Sequence, residues 1–171
     1  MSSVTASLVS DTEVVLIPVV GGLEYKTDGR SGFLESGQVG CFSLSAGMSY
    51  TVSNPYEQET INLLHLWLTH FLTPIRPGFA RNSFDLATKN TLLSLLTAAG
   101  HRGFIGQYDG RAEGIFRVGD PAKGVFVFVL QGVFEVANRL LHANDGLALR
   151  DLEEVEFEAL SNEAILVLVV V

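Results

Sequence analysis

Cysteine is nearly absent: Cys41 is the only one in 171 residues. No disulfide can form within the chain, and a lone thiol fits a reducing compartment. Positive charge is also scarce. Lysine and arginine total 11 against 19 acidic residues, for a net charge of −8, and the basic residues form no cluster. Nucleic acid and anionic membranes both need concentrated positive charge, so neither is an expected partner. Long apolar runs are missing too. The longest is AILVLVVV at 164–171, far short of the about 20 residues of a spanning helix. The first residues, MSSVTASLVSDTE, have no basic start and no continuous apolar stretch of leader length. These absences predict a soluble, cytoplasmic protein.

What is present is apolar and strand-like. Hydrophobic residues make up 47% of the chain and charged residues 18%, a composition that supplies a core and argues against disorder. Short runs rich in Val, Ile, Leu and Phe end at Gly, Asn, Asp or Pro. They are VVLIPVV (14–20), CFSL (41–44), NLLHLWL (62–68), GVFVFVL (124–130), VFEV (133–136), LALR (147–150), VEFEAL (155–160) and AILVLVVV (164–171). In VEFEAL the apolar Val155, Phe157 and Ala159 alternate with Glu156 and Glu158, which predicts a strand with one dry and one wet face. NTLLSLLTAAG (90–100) fits a helix or a strand, and SFDLATKN (83–90) fits one helical turn with Ser83 as its cap.

The chain also repeats itself. VVLIPVVGGLEY (14–25) parallels VFVFVLQGVFEV (125–136), and FLESGQVGCFSL (33–44) parallels LLHANDGLALR (140–150). MSYTVSN (48–54) then parallels VEFEALSN (155–162), and NLLHLWL parallels AILVLVVV. Matched blocks in the same order imply two copies of one β-unit. The organisation read from this is a first unit at 1–75, a linker at 76–90 and a second unit at 91–171.

These blocks, with Leu64-His65-Leu66-Trp67-Leu68, Ser45-Ala46-Gly47, Asn54-Pro55, AAGHRGFIGQYDG (98–110) and Asp145-Gly146, resemble the pirin family of bicupins over roughly residues 13–171. The resemblance implies an all-β protein of two packed cupin-like, jelly-roll β-barrels, the first lacking its opening strands. It also implies a transition metal, usually iron, held in the first cupin by a His-x-His pair and by a later histidine and glutamate. Here the pair would fall on Ser7 and Val9. MSYTVSNPYE, after Ala46-Gly47, has neither histidine nor glutamate before Asn54-Pro55. None of the family's ligands carries over. Glu13 is one loosely aligned carboxylate and makes no site by itself. The expectation is therefore a chain without a metal or other cofactor.

Other residues offer little to replace those ligands. His65 and His70 are five apart, an odd spacing that sends them to opposite faces of a strand. His101 and His142 are expected in polar turns. Cys41 reads as a small core residue and not as a nucleophile. No acid–base pair stands out, so no catalytic residue is nominated. His65 and Trp67 do share a strand face. With Tyr50 or Tyr25 from neighbouring strands they could line a barrel mouth suited to a small organic ligand. The plainer reading is that His65 is a hydrogen-bonded barrel residue and Trp67 is core between the two cupins. His65, Trp67 and Tyr50 are the candidate ligand-binding residues. The functional expectation is a small-molecule-binding, regulatory or interaction protein. The alternative is a quercetinase-like dioxygenase with non-standard ligands. An uncovered apolar strand edge would pair with a second copy, giving a homodimer.

Overall fold

The computed structural model describes residues 2–69, 76–98, 101–120 and 122–171. His70, one of the histidines weighed above, lies outside them. The described residues contain seventeen strands. No helix among them is long and apolar enough to cross a membrane. The chain divides into two compact units, Met1–Phe84 and Asp85–Val171.

The first unit holds β1 (Ser2–Ser7), β2 (Thr12–Val20), β3 (Leu23–Thr27), β4 (Arg30–Leu34), β5 (Gln38–Leu44), β6 (Ser49–Asn54), β7 (Asn62–Thr69) and β8 (Gly78–Ser83). They form two four-stranded antiparallel sheets, in the orders β1-β6-β3-β4 and β7-β2-β5-β8. Val14, Leu16, Leu23, Leu34, Phe42 and Tyr50 are among the side chains that close the core between the sheets. Strand β2 is buried from Thr12 to Pro18 on both faces. Pro18 donates no ladder bond, and it stands where pairing to β5 has already ended at Leu16↔Gly40 and where the β7 register slips between Pro18 and Val20.

The second unit holds β9 (Leu93–Ala98), β10 (His101–Tyr108), β11 (Glu113–Arg117), β12 (Val125–Gln131), β13 (Val133–Val136), β14 (Arg139–His142), β15 (Gly146–Leu149), β16 (Glu154–Ala159) and β17 (Ala164–Val170). Its sheets run β11-β16-β13-β14 and β15-β12-β17-β10-β9. The alternation in β16 works as read: Val155, Phe157 and Ala159 are buried, while Glu154 and Glu156 are exposed.

The internal repeat is visible strand for strand. β1-β6-β3-β4 has the same order as β11-β16-β13-β14, and β5-β2-β7 the same as β15-β12-β17. Even the irregularities match. The turn after β2 uses Gly21 at φ 76°, and the turn after β12 uses Gly132 at φ 80°. β12 slips against β17 between Val129 and Gln131, the counterpart of the slip in β2. Two differences remain. β8 covers β5 in the first unit, and β10 and β9 lie beyond β17 in the second, with no described strand in that place beside β7.

Some sequence expectations change. Residues 78–83, read as linker, form β8 and pair with β5 from Gln38↔Ser83 to Ser43↔Gly78. Ser83 caps no helix: it ends that strand, and the following turn is built by Asp85. Its carboxylate accepts the Ala87 N–H at 2.9 Å and its carbonyl accepts the Thr88 N–H at 3.1 Å. The ambiguous run at 90–100 supplies β9, because an edge at β10 is available to pair with it.

Candidate functional site

Strand register decides where the candidate residues point. Directly opposed residues in an antiparallel pair project to the same face. His65 lies opposite Leu16, and Trp67 opposite Val14. Leu16 and Val14 are fully buried in the first core, so His65 and Trp67 are on the inner face of β7. Tyr50 belongs to the same core and stands opposite Ala6 on β1. The three side chains meet. The Tyr50 hydroxyl is 2.6 Å from His65 Nε2. The Trp67 indole N–H donates to the Tyr50 oxygen at 2.6 Å and approaches His65 Nε2 at 2.8 Å. The ring pairs are edge-on, at 84° for Tyr50–His65 and 71° for Tyr50–Trp67.

These contacts are satisfied when Tyr50 donates to a neutral His65 through Nε2, leaving the imidazole proton on Nδ1. Tyr25 does not join them. It packs edge-on to Phe42 with ring centroids 4.8 Å apart. Trp67 is 50% exposed.

Beside the triad lies a cleft of about 320 Å³, walled by β1, β6 and β7. Its lining includes Val4, Ala6, Val52, Ile61 and Leu63 with Tyr50 and His65, and Ser2, Ser3, Ser53, Asn54 and Thr60 at its polar edge. Among the described residues, no charged side chain lines it. Asn54 is already engaged, donating to the Glu59 carbonyl and accepting from the Tyr56 N–H. The cleft is open where the second unit is closed. There β10 adds to β17 and brings Tyr108 into the core, with Phe104 packed against it. At the matching place in the first unit Val4, on the inner row of β1, is 71% exposed.

His65 is an exposed residue of β7, yet partial desolvation of its ring holds the imidazole below its ordinary 6.5. Burial also raises Tyr50, partly offset by the Trp67 hydrogen bond. Both stay neutral at neutral pH. The native state therefore takes up the His65 proton less readily than the unfolded chain. Its contribution to stability is complete above pH about 6.5 and is lost as pH falls from there through the lowered native pKa. Trp67 is the only tryptophan, so its fluorescence reports the event. An acid titration should quench it with a midpoint below 6.5, and His65→Gln should remove that step. A midpoint at or above 6.5 would show that the imidazole is not shielded.

The donor set for a metal can be tested directly. Ser7 ends β1 with an exposed side chain, and Val9 lies in the following loop, 97% exposed. Neither offers an imidazole. Glu13 is buried, but it lies opposite Ser43 and accepts from the Ser43 hydroxyl at 2.9 Å, on the face of β2 turned away from Val14 and Leu16. Cys41 shares that outer face, opposite Val15. Burial, with the Glu13 charge nearby, pushes its thiol up to about 12, so it is no thiolate ligand or nucleophile. Among the described residues, no group of three or more His, Cys, Asp or Glu side chains is placed to hold an ion. The described residues do not supply the ligand set that the resemblance implied.

The fold is cupin-like: two all-β units of one repeated strand order. Residues 100–170 match the family described as the quercetinase C-terminal cupin domain. Among solved structures, YhhW from Escherichia coli aligns with a TM-score of 0.84 at 17% identity, covering 99% of this chain and 74% of that one. The bacterial pirin YhhW in complex with nickel(II) aligns equally well, at 16% identity, covering 99% and 75%. A quercetin 2,3-dioxygenase from Acinetobacter baumannii aligns with a TM-score of 0.75 at 15% identity, covering 99% of this chain and 61% of that one. No curated protein matches the chain. Residues 100–170 thus resemble that cupin family, and the whole chain shares the fold of these solved structures.

Proposed function

We propose that this pirin-related bicupin works without a metal and binds a small, uncharged organic ligand in the open mouth of its first barrel. The observation that carries this reading is the Tyr50–His65–Trp67 triad beside an apolar cleft whose described lining carries no charge. The triad uses its own polar atoms to fix three ring planes at the rim, which gives a ligand rigid faces to pack on. It leaves Nδ1–H as the remaining donor of a neutral His65. A charged ligand would lose its hydration with no counter-charge in return.

Titrating Trp67 fluorescence with a panel of neutral, anionic and cationic aromatic compounds tests this. Neutral members should bind. His65→Ala should weaken them by about tenfold, the worth of one hydrogen bond. Leu63→Trp, which fills the cleft, should abolish binding. Preference for the charged members, or binding untouched by both substitutions, would refute the reading.

The competing reading is a metal-dependent dioxygenase of the quercetinase type, favoured by the family of the second unit. Metal analysis of the purified chain separates the two. Stoichiometric iron, nickel or manganese that disappears in His65→Ala would replace the binding reading with the dioxygenase one.

A further inference from the structure

Three Asp-Gly pairs occur in the chain, at Asp28-Gly29, Asp109-Gly110 and Asp145-Gly146, and there is no Asn-Gly. Such a pair holds a latent reaction. The glycine nitrogen can close on the aspartate Cγ, because no side chain beside it blocks the approach. The carboxyl must be free to turn over that nitrogen, and the N–H must be free to leave its partner.

The fold restrains two of the pairs. Asp109 accepts hydrogen bonds from Lys89 Nζ at 3.0 Å and from Asn90 Nδ2 at 3.2 Å. These bonds, that of Lys89 foremost, hold its carboxyl below the usual carboxylate range, and an ionised carboxylate is the poorer electrophile. The Gly110 N–H is engaged as well, donating to Asn162 Oδ1 at 3.0 Å. Asp145 accepts the His142 N–H at 2.8 Å, and Gly146 is held in β15 opposite Phe128. Asp28 and Gly29 are different. They form the exposed turn between Thr27 and Arg30, the pair that closes β3 and β4. Among the described residues, nothing hydrogen-bonds the Asp28 carboxylate or the Gly29 N–H. Gly29 has φ 84° and nothing within 4 Å of where a side chain would stand.

We propose that Asp28 is the position at which the folded chain forms isoaspartate, and that the aged chain is there a methyl acceptor for a protein isoaspartyl methyltransferase. The Gly29 nitrogen bonds to Asp28 Cγ, and its proton leaves with a carboxyl oxygen as water, closing a five-membered succinimide. Water then adds to the former main-chain carbonyl and breaks its bond to the Gly29 nitrogen. The chain now runs through Cγ, with a free α-carboxylate and one more methylene. Nothing is oxidised or reduced. The change falls two residues before Arg30, whose guanidinium lies 4.9 Å from the Phe79 ring centroid. This inference does not rest on the ligand reading.

The test ages the folded full chain at neutral pH and body temperature. The methyltransferase and labelled S-adenosylmethionine are then added. The new α-carboxylate takes the methyl group from the sulfonium, leaving S-adenosylhomocysteine, and peptide mapping locates the label. Label is expected on the peptide holding Asp28, with little on those holding Asp109 and Asp145. A chain aged in denaturant should carry it at all three. Asp28→Glu should remove most of the native label, since its ring would need six members. Asp28→Asn should raise it, releasing ammonia in place of water. Both substitutions sit in an exposed turn. A folded chain unlabelled at Asp28, one labelled equally at the three pairs, or one whose label survives Asp28→Glu overturns the proposal.

Discussion

Replacing Phe134 by alanine should cost the second unit about 3–5 kcal/mol, the range for truncating a fully buried aromatic. Phe134 is 0% exposed. It lies opposite Ala159 on one side and Leu141 on the other. Two further rings meet it edge-on or nearly so, Tyr108 at 6.1 Å and Phe157 at 6.3 Å between centroids. Tyr108 and Phe157 also meet each other at 5.2 Å and 88°. The three rings form one cluster, so alanine removes packing area and two aromatic contacts together. The cavity left is walled by side chains from strands on three sides, which cannot collapse without shifting both sheets. In a domain of this size each kcal/mol lowers the melting point by roughly 4–8 °C, so the thermal shift will be large. Ile115→Ala is the control: Ile115 is 60% exposed, and its loss should stay within about 0.5 kcal/mol. If Phe134→Ala proved as mild as that control, the core could not be closed around the ring.

That core was legible because its strands announce themselves by burial. β2, β12, β16 and β17 are apolar or strictly alternating, and a strand flanked by others has to be. The edges were harder. β1 reads SSVTAS and β8 reads GFARNS, both largely exposed. A strand wet on both faces leaves no hydrophobic period, and only the neighbour that pairs with it makes it a strand. The hairpin between β13 and β14 is hidden for another reason. Ala137 and Asn138 both take positive φ, at 47° and 60°, a geometry usually signalled by Asn-Gly or Asp-Gly.

The candidate site was half legible. The two-residue spacing of His65 and Trp67 assigns them one face from sequence alone. Their meeting with Tyr50 depends on the approach of β6 to β7, and the exposure of Trp67 depends on which strand is missing beside it. Both are properties of topology, which no local pattern encodes. The burial of Glu13 is of the same kind: its sequence neighbours mark a strand, but the face it occupies follows from register.

Gly132→Ala should be the most damaging of three glycine substitutions that share one backbone conformation. Gly29, Gly21 and Gly132 have φ of 84°, 76° and 80°. An L-residue in that region costs roughly 1–2 kcal/mol at each of the three. They differ in the room left for a methyl group. At Gly29 nothing lies within 4 Å, so the conformational term should stand alone. At Gly21 the new carbon would sit 3.1 Å from Ile61 Cγ2, a contact that a small side-chain movement relieves. At Gly132 it would sit 2.5 Å from Ser161 Oγ and 2.8 Å from Ala164 Cβ. Ala164 is the fully buried first residue of β17 and cannot retreat. Ser161 can turn away only by giving up the hydrogen bond it accepts from the Val133 N–H at 3.0 Å, next to the turn itself. Strain, overlap and a lost partner for a backbone donor together place the Gly132 loss at about 3 kcal/mol or more. Urea unfolding of the three single variants should rank them Gly132, then Gly21, then Gly29. Equal losses would mean that backbone conformation alone sets the cost and that the turn after β12 is looser than these distances require. A Gly29 loss larger than that at Gly132 would contradict the crowding around the β12–β13 turn.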